Sequence, residues 1–323
     1  MDQNTNLEET QGVKSGIKKI KISNRLSNIF LGADTIKNLD YKSTDYLLDK
    51  LIPRGTLCAL VGESDTGKSS FLRQLAVSIV YGDRNFLGFE LNSSCRNVLY
   101  VSTEDSKEAT SVWLNTHLGE GETKDEYLSN LHFTYTTDNI IGNLKELVQI
   151  NCIDLIIVDS YADLFIGSMN NSNEVRQFLN QYIELANEFR TTVVFLHHTK
   201  KSTAGFKPNK DNILGSQGFE AKMRSVMMLT KDTNDTSLRH LCVVKNNYIG
   251  EEEKSKSYVL RFNNQLSFEY TGERVKLDEL VAEEWLEDAK LLKEEGKTLR
   301  EIVSILQSKG HKVSKSSLQR KLS

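Results

Sequence analysis

Residues 41–272 predict an α/β domain with a mostly parallel central sheet and antiparallel C-terminal additions, and residues 273–323 a small all-α module. Three observations carry this prediction. Near-continuous apolar runs of strand length alternate with amphipathic helical stretches, the pattern of a parallel sheet covered on both faces. A glycine-rich turn of the form GxxxxGK[ST] joins the first of these strands to the first of these helices. The charge balance then reverses sign near residue 296, which marks a separate module.

The elements follow in order. Residues 1–40 are rich in Asn, Lys, Thr and Ser and read as a polar, partly disordered arm, with a short helix or strand expected near Ile17–Ile22. Buried strands are expected at Leu57–Val61, Val98–Ser102, His132–Tyr135, Ile153–Val158 and Thr192–Leu196, with helices such as Ser69–Tyr81 and Asn173–Phe189 between them. After Met223 the pattern changes. Val226–Leu229, Leu238–Lys245, Lys256–Phe262 and Leu266–Tyr270 read as short antiparallel additions, the last two joined by a turn at Asn263-Asn264.

Composition narrows the classes. A chain of 323 residues supports one sizeable α/β domain plus an appendix. The two prolines, Pro53 and Pro208, leave no Pro-rich linker. A net charge of -3 gives no global basic field, so any DNA contact must come from local patches. Cys58, Cys95, Cys152 and Cys242 lie far apart with no CxxC pair and read as buried thiols in a reducing compartment. With no apolar signal-peptide core and no apolar run of membrane-spanning length, the expectation is a cytoplasmic protein with no membrane partner.

The sharpest motif is Gly62-Glu63-Ser64-Asp65-Thr66-Gly67-Lys68-Ser69, followed by Ser70 as the helix opens. In such a loop, backbone N–H groups converge on phosphates and the helix N-terminus adds partial positive charge. Lys68 is then expected to reach the β- and γ-phosphates of ATP, and Ser69 to bind Mg2+. Glu63 and Asp65 put two acids into this anion-binding loop.

Three further strand ends point to the same edge. The strand ending at Asp159 suits a carboxylate that holds the Mg2+ shell, and Asp154 should lie at its opposite end. The strand ending Thr103-Glu104-Asp105 offers either a base for the attacking water or a helix cap. The fifth strand is followed by His197-His198, of which one should face the nucleotide and the other the opposite side. A metal site is the rival reading of the pair, with no third ligand suitably spaced.

Together these elements resemble the RecA-like ATPases and, within them, the plasmid RepA-type hexameric helicases. The resemblance covers roughly residues 41–270. It rests on Ile52-Pro-Arg-Gly55, the Gly62–Ser69 loop, Tyr100-Val-Ser-Thr-Glu104-Asp105, Ile156-Ile-Val-Asp159, His197-His198-Thr199-Lys200, Gly215-Ser216 with Arg224, and Val244-Lys245-Asn-Asn247. RecA and DnaB relatives have a Gln at the equivalent of His198. The resemblance implies that Glu104 is the catalytic glutamate and that His198, or else His197, couples the γ-phosphate to DNA-binding loops. It also implies a hexameric ring with ATP between subunits and a cation entering in trans. Arg224 is the candidate finger, with a surface arginine as the plain alternative. Lys245 is a second trans candidate, although Asn247 stands where DnaB-like relatives often carry Arg. Asp65 stands where Gly is usual.

The resemblance further places the loop after the histidines in the ring channel. Residues 200–214 carry four lysines with Phe206 and Gly205, suited to neutralising phosphates and stacking on a base. Residues 296–323 carry seven Lys/Arg and one acid. Leu299, Ile302, Val303 and Leu306 share a helix face that Gly310 should stop, and Ser314 should cap a second helix. This looks like a helix-turn-helix for DNA, with Leu280–Lys293 as its third helix, or a basic appendage for subunit contacts. The function expected is a DNA-dependent ring ATPase, a helicase or translocase in plasmid or mobile-element replication. The alternative is an ATP-switch loader or regulator that binds DNA through the C-terminal module.

Overall fold

Six strands run in one direction because each connection between them contains a helix and is long enough to cross back over the sheet. The computed structural model describes residues 30–39, 43–119, 125–201, 207–215, 217–280, 285–309, 311 and 313–322. The chain divides into two compact units, Met1–Thr44 and Asp45–Ser323.

In the first unit a five-residue helix, Ala33–Lys37, leaves Phe30, Leu31, Ile36 and Leu39 exposed. The element expected near Ile17–Ile22 lies outside the described residues.

The second unit is built on a nine-stranded sheet. Its strands are β1 Leu57–Gly62, β2 Val98–Ser102, β3 Leu131–Thr134, β4 Leu155–Asp159, β5 Thr192–His198, β6 Ser225–Lys231, β7 Leu238–Asn246, β8 Lys256–Phe262 and β9 Phe268–Lys276. Across the sheet they run β9-β8-β7-β6-β1-β5-β4-β2-β3. The strands from β3 to β6 in this order are parallel, and β7, β8 and β9 extend the β6 edge antiparallel. The chain thus has the RecA-like α/β fold, mostly parallel with antiparallel additions.

Three expectations need correcting. β6 was expected to be antiparallel, but it runs parallel to β1, with Ser225 opposite Cys58 and Leu229 opposite Gly62. The connection from β5 contains the helix Gln217–Lys222 and is long enough for a crossover. The β8–β9 connection is not a turn at Asn263-Asn264 but a wider loop. Asn263 Oδ1 accepts from the backbone N–H of Gln265 and Ser267, and Leu266 adopts φ 56°. The two histidines do not follow β5; they are its last two residues.

Helices cover both faces. α1 (Lys68–Tyr81) packs Phe71, Leu72 and Leu75 against Leu60, Tyr100, Ile157 and Leu196. α3 (Ile140–Ile150) and α5 (Ser172–Phe189) pack Leu144, Val148, Leu179 and Tyr182 against Val61, Val101, Val158 and Phe195 on the other face. Between them lie α2 (Lys107–Leu118) and the short α4 (Tyr161–Leu164), and α6 is Gln217–Lys222. Covering both faces explains why the parallel strands read as unbroken apolar runs rather than alternating ones.

The final strand runs to Lys276, four residues past the boundary expected at 272. Beyond it, α7 (Leu286–Glu294), α8 (Leu299–Ser308) and α9 (Lys315–Lys321) form a small core of their own from Trp285, Ala289, Ile302, Leu306, Val313 and Leu318. α8 opens with a capping box, Thr298 and Glu301 bonding to each other's backbone N–H. The Ser314 carbonyl accepts the N–H of Leu318 as α9 begins. Gly310, expected to end α8, lies outside the described residues. Cys58, Cys95 and Cys242 are buried, while Cys152 is exposed against expectation. Burial pushes the Cys58 and Cys95 thiols up to about 12. Among the described residues, no helix is long and apolar enough to cross a membrane.

Candidate active site

The register of the parallel strands puts their C-terminal ends side by side. Gly62 of β1 lies opposite His198 of β5, and Ser102 of β2 lies opposite Asp159 of β4. Crevices outside such strand ends are where open α/β sheets bind ligands.

The phosphate loop leaves β1 at Gly62 and enters α1 at Lys68. Gly67 has φ +90°, and a Cβ added there would come within 2.8 Å of the Phe268 ring. The position therefore needs glycine for both backbone and space. Asp65, where glycine is usual, also lies at positive φ, 60°. Glu63, Ser64 and Asp65 are exposed, so the two acids stand on the outer side of the loop. Thr66 is buried, its hydroxyl donating to the Glu63 carbonyl at 3.0 Å. Ser69 and Ser70 are half-buried at the start of α1.

Lys68 is buried and donates to the same Glu63 carbonyl at 2.6 Å. Burial lowers its pKa, and the charges of Asp159, Glu104, Asp65 and Glu63 oppose that shift. The acids in and around the loop thus help to keep the lysine a cation.

Asp159 is 3% exposed. Its Oδ2 accepts from the Tyr100 hydroxyl at 2.6 Å, and its Oδ1 is buried with no hydrogen-bond partner among the described residues. Burial raises its pKa, while the hydrogen bond from Tyr100, the nearby Ser69 hydroxyl and the charge of Arg73 act the other way. A buried carboxylate with one oxygen unpartnered among the described residues, on a residue that feels the Ser69 hydroxyl, fits Mg2+, a hard cation that takes oxygen ligands and keeps company with substrate phosphates. Among the described residues, no cluster of three or more His, Cys, Asp or Glu is placed to hold a metal ion. Asp154 lies at the opposite edge, accepting from the backbone N–H of Arg96 and from Arg54.

Glu104 is not the cap of the following helix. Ser106 caps α2 by accepting from Ala109 N–H, and Asp105 pairs with Arg73. That leaves Glu104 half-exposed, with Oε1 4.0 Å from His198 Nε2. Burial, then the nearby Lys68 charge, lowers the His198 pKa, so the ring is neutral near pH 7.

The paired histidines separate as the strand pleat requires. His197 turns to the other face, fully buried between Tyr161 and Phe219 with ring centroids at 4.9 and 4.7 Å. Its Nε2–H donates to the Leu214 carbonyl at 3.0 Å. Burial lowers its pKa to about 4. The structure thus places His197 in the core and leaves His198 at the phosphate edge.

Arg224 and Lys245 are not brought to this chain's own phosphate loop. Arg224 is exposed just before β6, its N–H bonded to the Leu57 carbonyl. That is the start of β1, about 17 Å along the strand from Gly62 at roughly 3.3 Å per residue. Lys245 lies at the same edge, opposite Val226, and its Nζ meets Glu220 Oε1 at 3.0 Å and the Glu220 carbonyl at 2.7 Å. It lines a 680 Å³ groove with Lys207 and Lys210. Residues 202–206, with Phe206 and Gly205, lie outside the described residues, as does Ser216. The rest of that loop is anchored by Lys200 N–H to the Asn212 carbonyl.

Three residues of the site were not foreseen. Tyr100 is a phenol between the apolar residues Leu99 and Val101, which is the signal that marks it. Arg73 is a buried arginine of α1 whose guanidinium lies 5.5 Å from the Tyr100 ring centroid. Asp163, in α4, accepts from the Thr103 and Ser160 hydroxyls at 2.6 and 2.8 Å, and its charge is felt by His198. Neither Arg73 nor Asp163 carries a local sequence signal.

A family model described as an AAA domain matches residues 29–204. A DNA repair protein RadA from Chlamydia pneumoniae is 25% identical over 181 residues, covering 55% of this chain and 35% of that protein. The chain therefore matches about a third of the length of that curated relative.

Proposed function

The chain belongs to the AAA domain family, and from that premise we propose that it is an ATP-hydrolysing ring ATPase acting on DNA. In this reading it is a RepA-type hexameric helicase or translocase that serves plasmid or mobile-element replication. The observation that carries the reading is the convergence of the Gly62–Ser69 loop, Glu104, Asp159 and His198 on one edge of the sheet.

Backbone N–H groups of residues 62–69 and the start of α1 receive the phosphates. Lys68 exchanges the Glu63 carbonyl for phosphate oxygens. Ser69 and Asp159 would hold Mg2+, which when bound neutralises charge on the phosphate oxygens. Glu104 orients and deprotonates the attacking water. His198, neutral and beside both Glu104 and Gly62, reports loss of the γ-phosphate to residues 200–214. Arg224 and Lys245 lie at the opposite sheet edge, which supports a role toward a neighbouring subunit's ATP. The relative's description as a DNA repair protein supports DNA as the partner. Residues 200–214 and the basic 296–323 segment are the contacts proposed for it.

The test is steady-state ATP hydrolysis with no DNA, single-stranded DNA and duplex DNA, with Lys68→Ala as the blank. Stimulation by single strands that vanishes in the blank supports the motor. Slow turnover indifferent to DNA overturns it for the isolated protein. The second reading is an ATP-switch loader or regulator, which slow turnover with ATP-dependent assembly and no unwinding would favour.

A further inference from the structure

The two oxygens of Asp159 have unlike surroundings. Oδ2 is held by the Tyr100 hydroxyl at 2.6 Å, while Oδ1 is buried and unpartnered among the described residues. Tyr100 has little freedom to release its hold. It is fully buried, its ring packs on Phe133 with centroids 5.4 Å apart, and the Arg73 guanidinium lies 5.5 Å from its centroid. Arg73 is fixed in turn by Asp105 and by Trp113, whose ring centroid is 5.7 Å away. The chain from Trp113 and Asp105 through Arg73 to Tyr100 ends on one carboxylate oxygen.

We propose that Tyr100 is a positioning residue that occupies one oxygen of Asp159, leaves the other as the acceptor for the metal or its bound water, and so favours Mg2+ over Ca2+. The chemistry follows from the ions. Ca2+ is larger, tolerates irregular coordination and often takes both oxygens of a carboxylate. Mg2+ demands near-octahedral geometry and gains nothing from a second oxygen of the same group. A phenol that permanently occupies Oδ2 therefore penalises the larger ion. It also fixes the carboxylate plane, as groups hydrogen-bonded to metal ligands generally do.

The inference rests on the reading of Asp159 as the metal's carboxylate, and the experiment separates the two. The 323-residue chain is titrated with mant-ATP in EDTA, then with Mg2+ and with Ca2+, following nucleotide fluorescence rather than turnover. Tyr100→Phe keeps the ring and its packing and removes only the hydroxyl. The expected result is an Mg2+ half-saturation raised about tenfold, a Ca2+ half-saturation changed by less than about threefold, and metal-free binding unchanged. Equal losses in all three conditions would make Tyr100 a support of the fold alone and overturn the proposal. So would an unchanged preference for Mg2+ over Ca2+. Asp159→Asn is the control. If it abolishes the Mg2+ dependence while Tyr100→Phe does not alter it, only the present proposal falls. If Asp159→Asn leaves the dependence intact, the metal reading of Asp159 falls with it.

Discussion

His198 Nε2 stands 4.0 Å from Glu104 Oε1, and the same histidine is the strand neighbour of Gly62, where the phosphate loop begins. One residue therefore lies next to both the candidate base and the edge of the candidate phosphate site. With its pKa lowered by burial and by Lys68, the ring is a neutral hydrogen-bonding partner rather than a fixed cation.

Glu104→Gln should lower kcat about 10²–10⁴-fold while mant-ATP binding changes little, because the loss is of proton transfer rather than of binding. His198→Ala should spare DNA-free hydrolysis but remove its stimulation by single strands. Measuring kcat with and without DNA for both variants checks the division of roles. Equal loss of basal rate in the two would contradict it.

His197 makes stability depend on pH. Its pKa falls from 6.5 to about 4 on folding, so the folded state resists a proton that the unfolded state accepts. Its contribution is fully present above pH 6.5 and is lost as pH falls from there toward 4, on the order of 3 kcal/mol in total. His197→Asn keeps a donor for the Leu214 carbonyl without titrating. Denaturant melts between pH 7 and 4 should show a shallower loss in that variant than in the parent chain.

Arg224 and Lys245 should act on a neighbour's nucleotide. Lys68→Ala chains and Arg224→Ala chains, each inactive alone, should regain hydrolysis when mixed. Random assembly around a head-to-tail ring leaves about a quarter of the interfaces with both groups intact. Absence of any recovery in assembled mixtures would exclude Arg224 as the trans group.

The β8–β9 hairpin is clamped beside the phosphate loop. Gln74 donates to the Phe268 carbonyl at 2.9 Å and accepts its N–H at 2.7 Å, and Phe268 packs where a side chain at Gly67 would lie. Gln74→Ala should cost about 1–3 kcal/mol by leaving both backbone groups unpaired. The same variant should weaken ATP binding, read by thermal melting and by mant-ATP titration.

Much of the site was legible because its signals are local. The Gly62–Ser69 loop needs a strand, a turn of fixed glycine spacing and a helix start, all within about fifteen residues. Asp159 and Glu104 were legible as carboxylates ending apolar strands. Others were hidden. Tyr100 and Asp159 are 59 residues apart in sequence, and Arg73 and Asp105 are 32 apart. Nothing in either segment announces the other. The direction of β6 was misread because its short apolar run suits either direction, and only the crossover through α6 decides it.

The sequence by itself determined the α/β class, the phosphate loop and the order of strand-end carboxylates, because period, glycine spacing and helix capping act within a few residues. Alternation along β5 likewise told that His197 and His198 face opposite ways. The tertiary structure alone decided which of them meets Glu104 and which is sealed between Tyr161 and Phe219. That outcome depends on which face of the sheet α1 covers and on β1, β4 and β5 lying side by side. Such neighbourhood is settled by long-range packing and crossover connections, and no short stretch of sequence carries it.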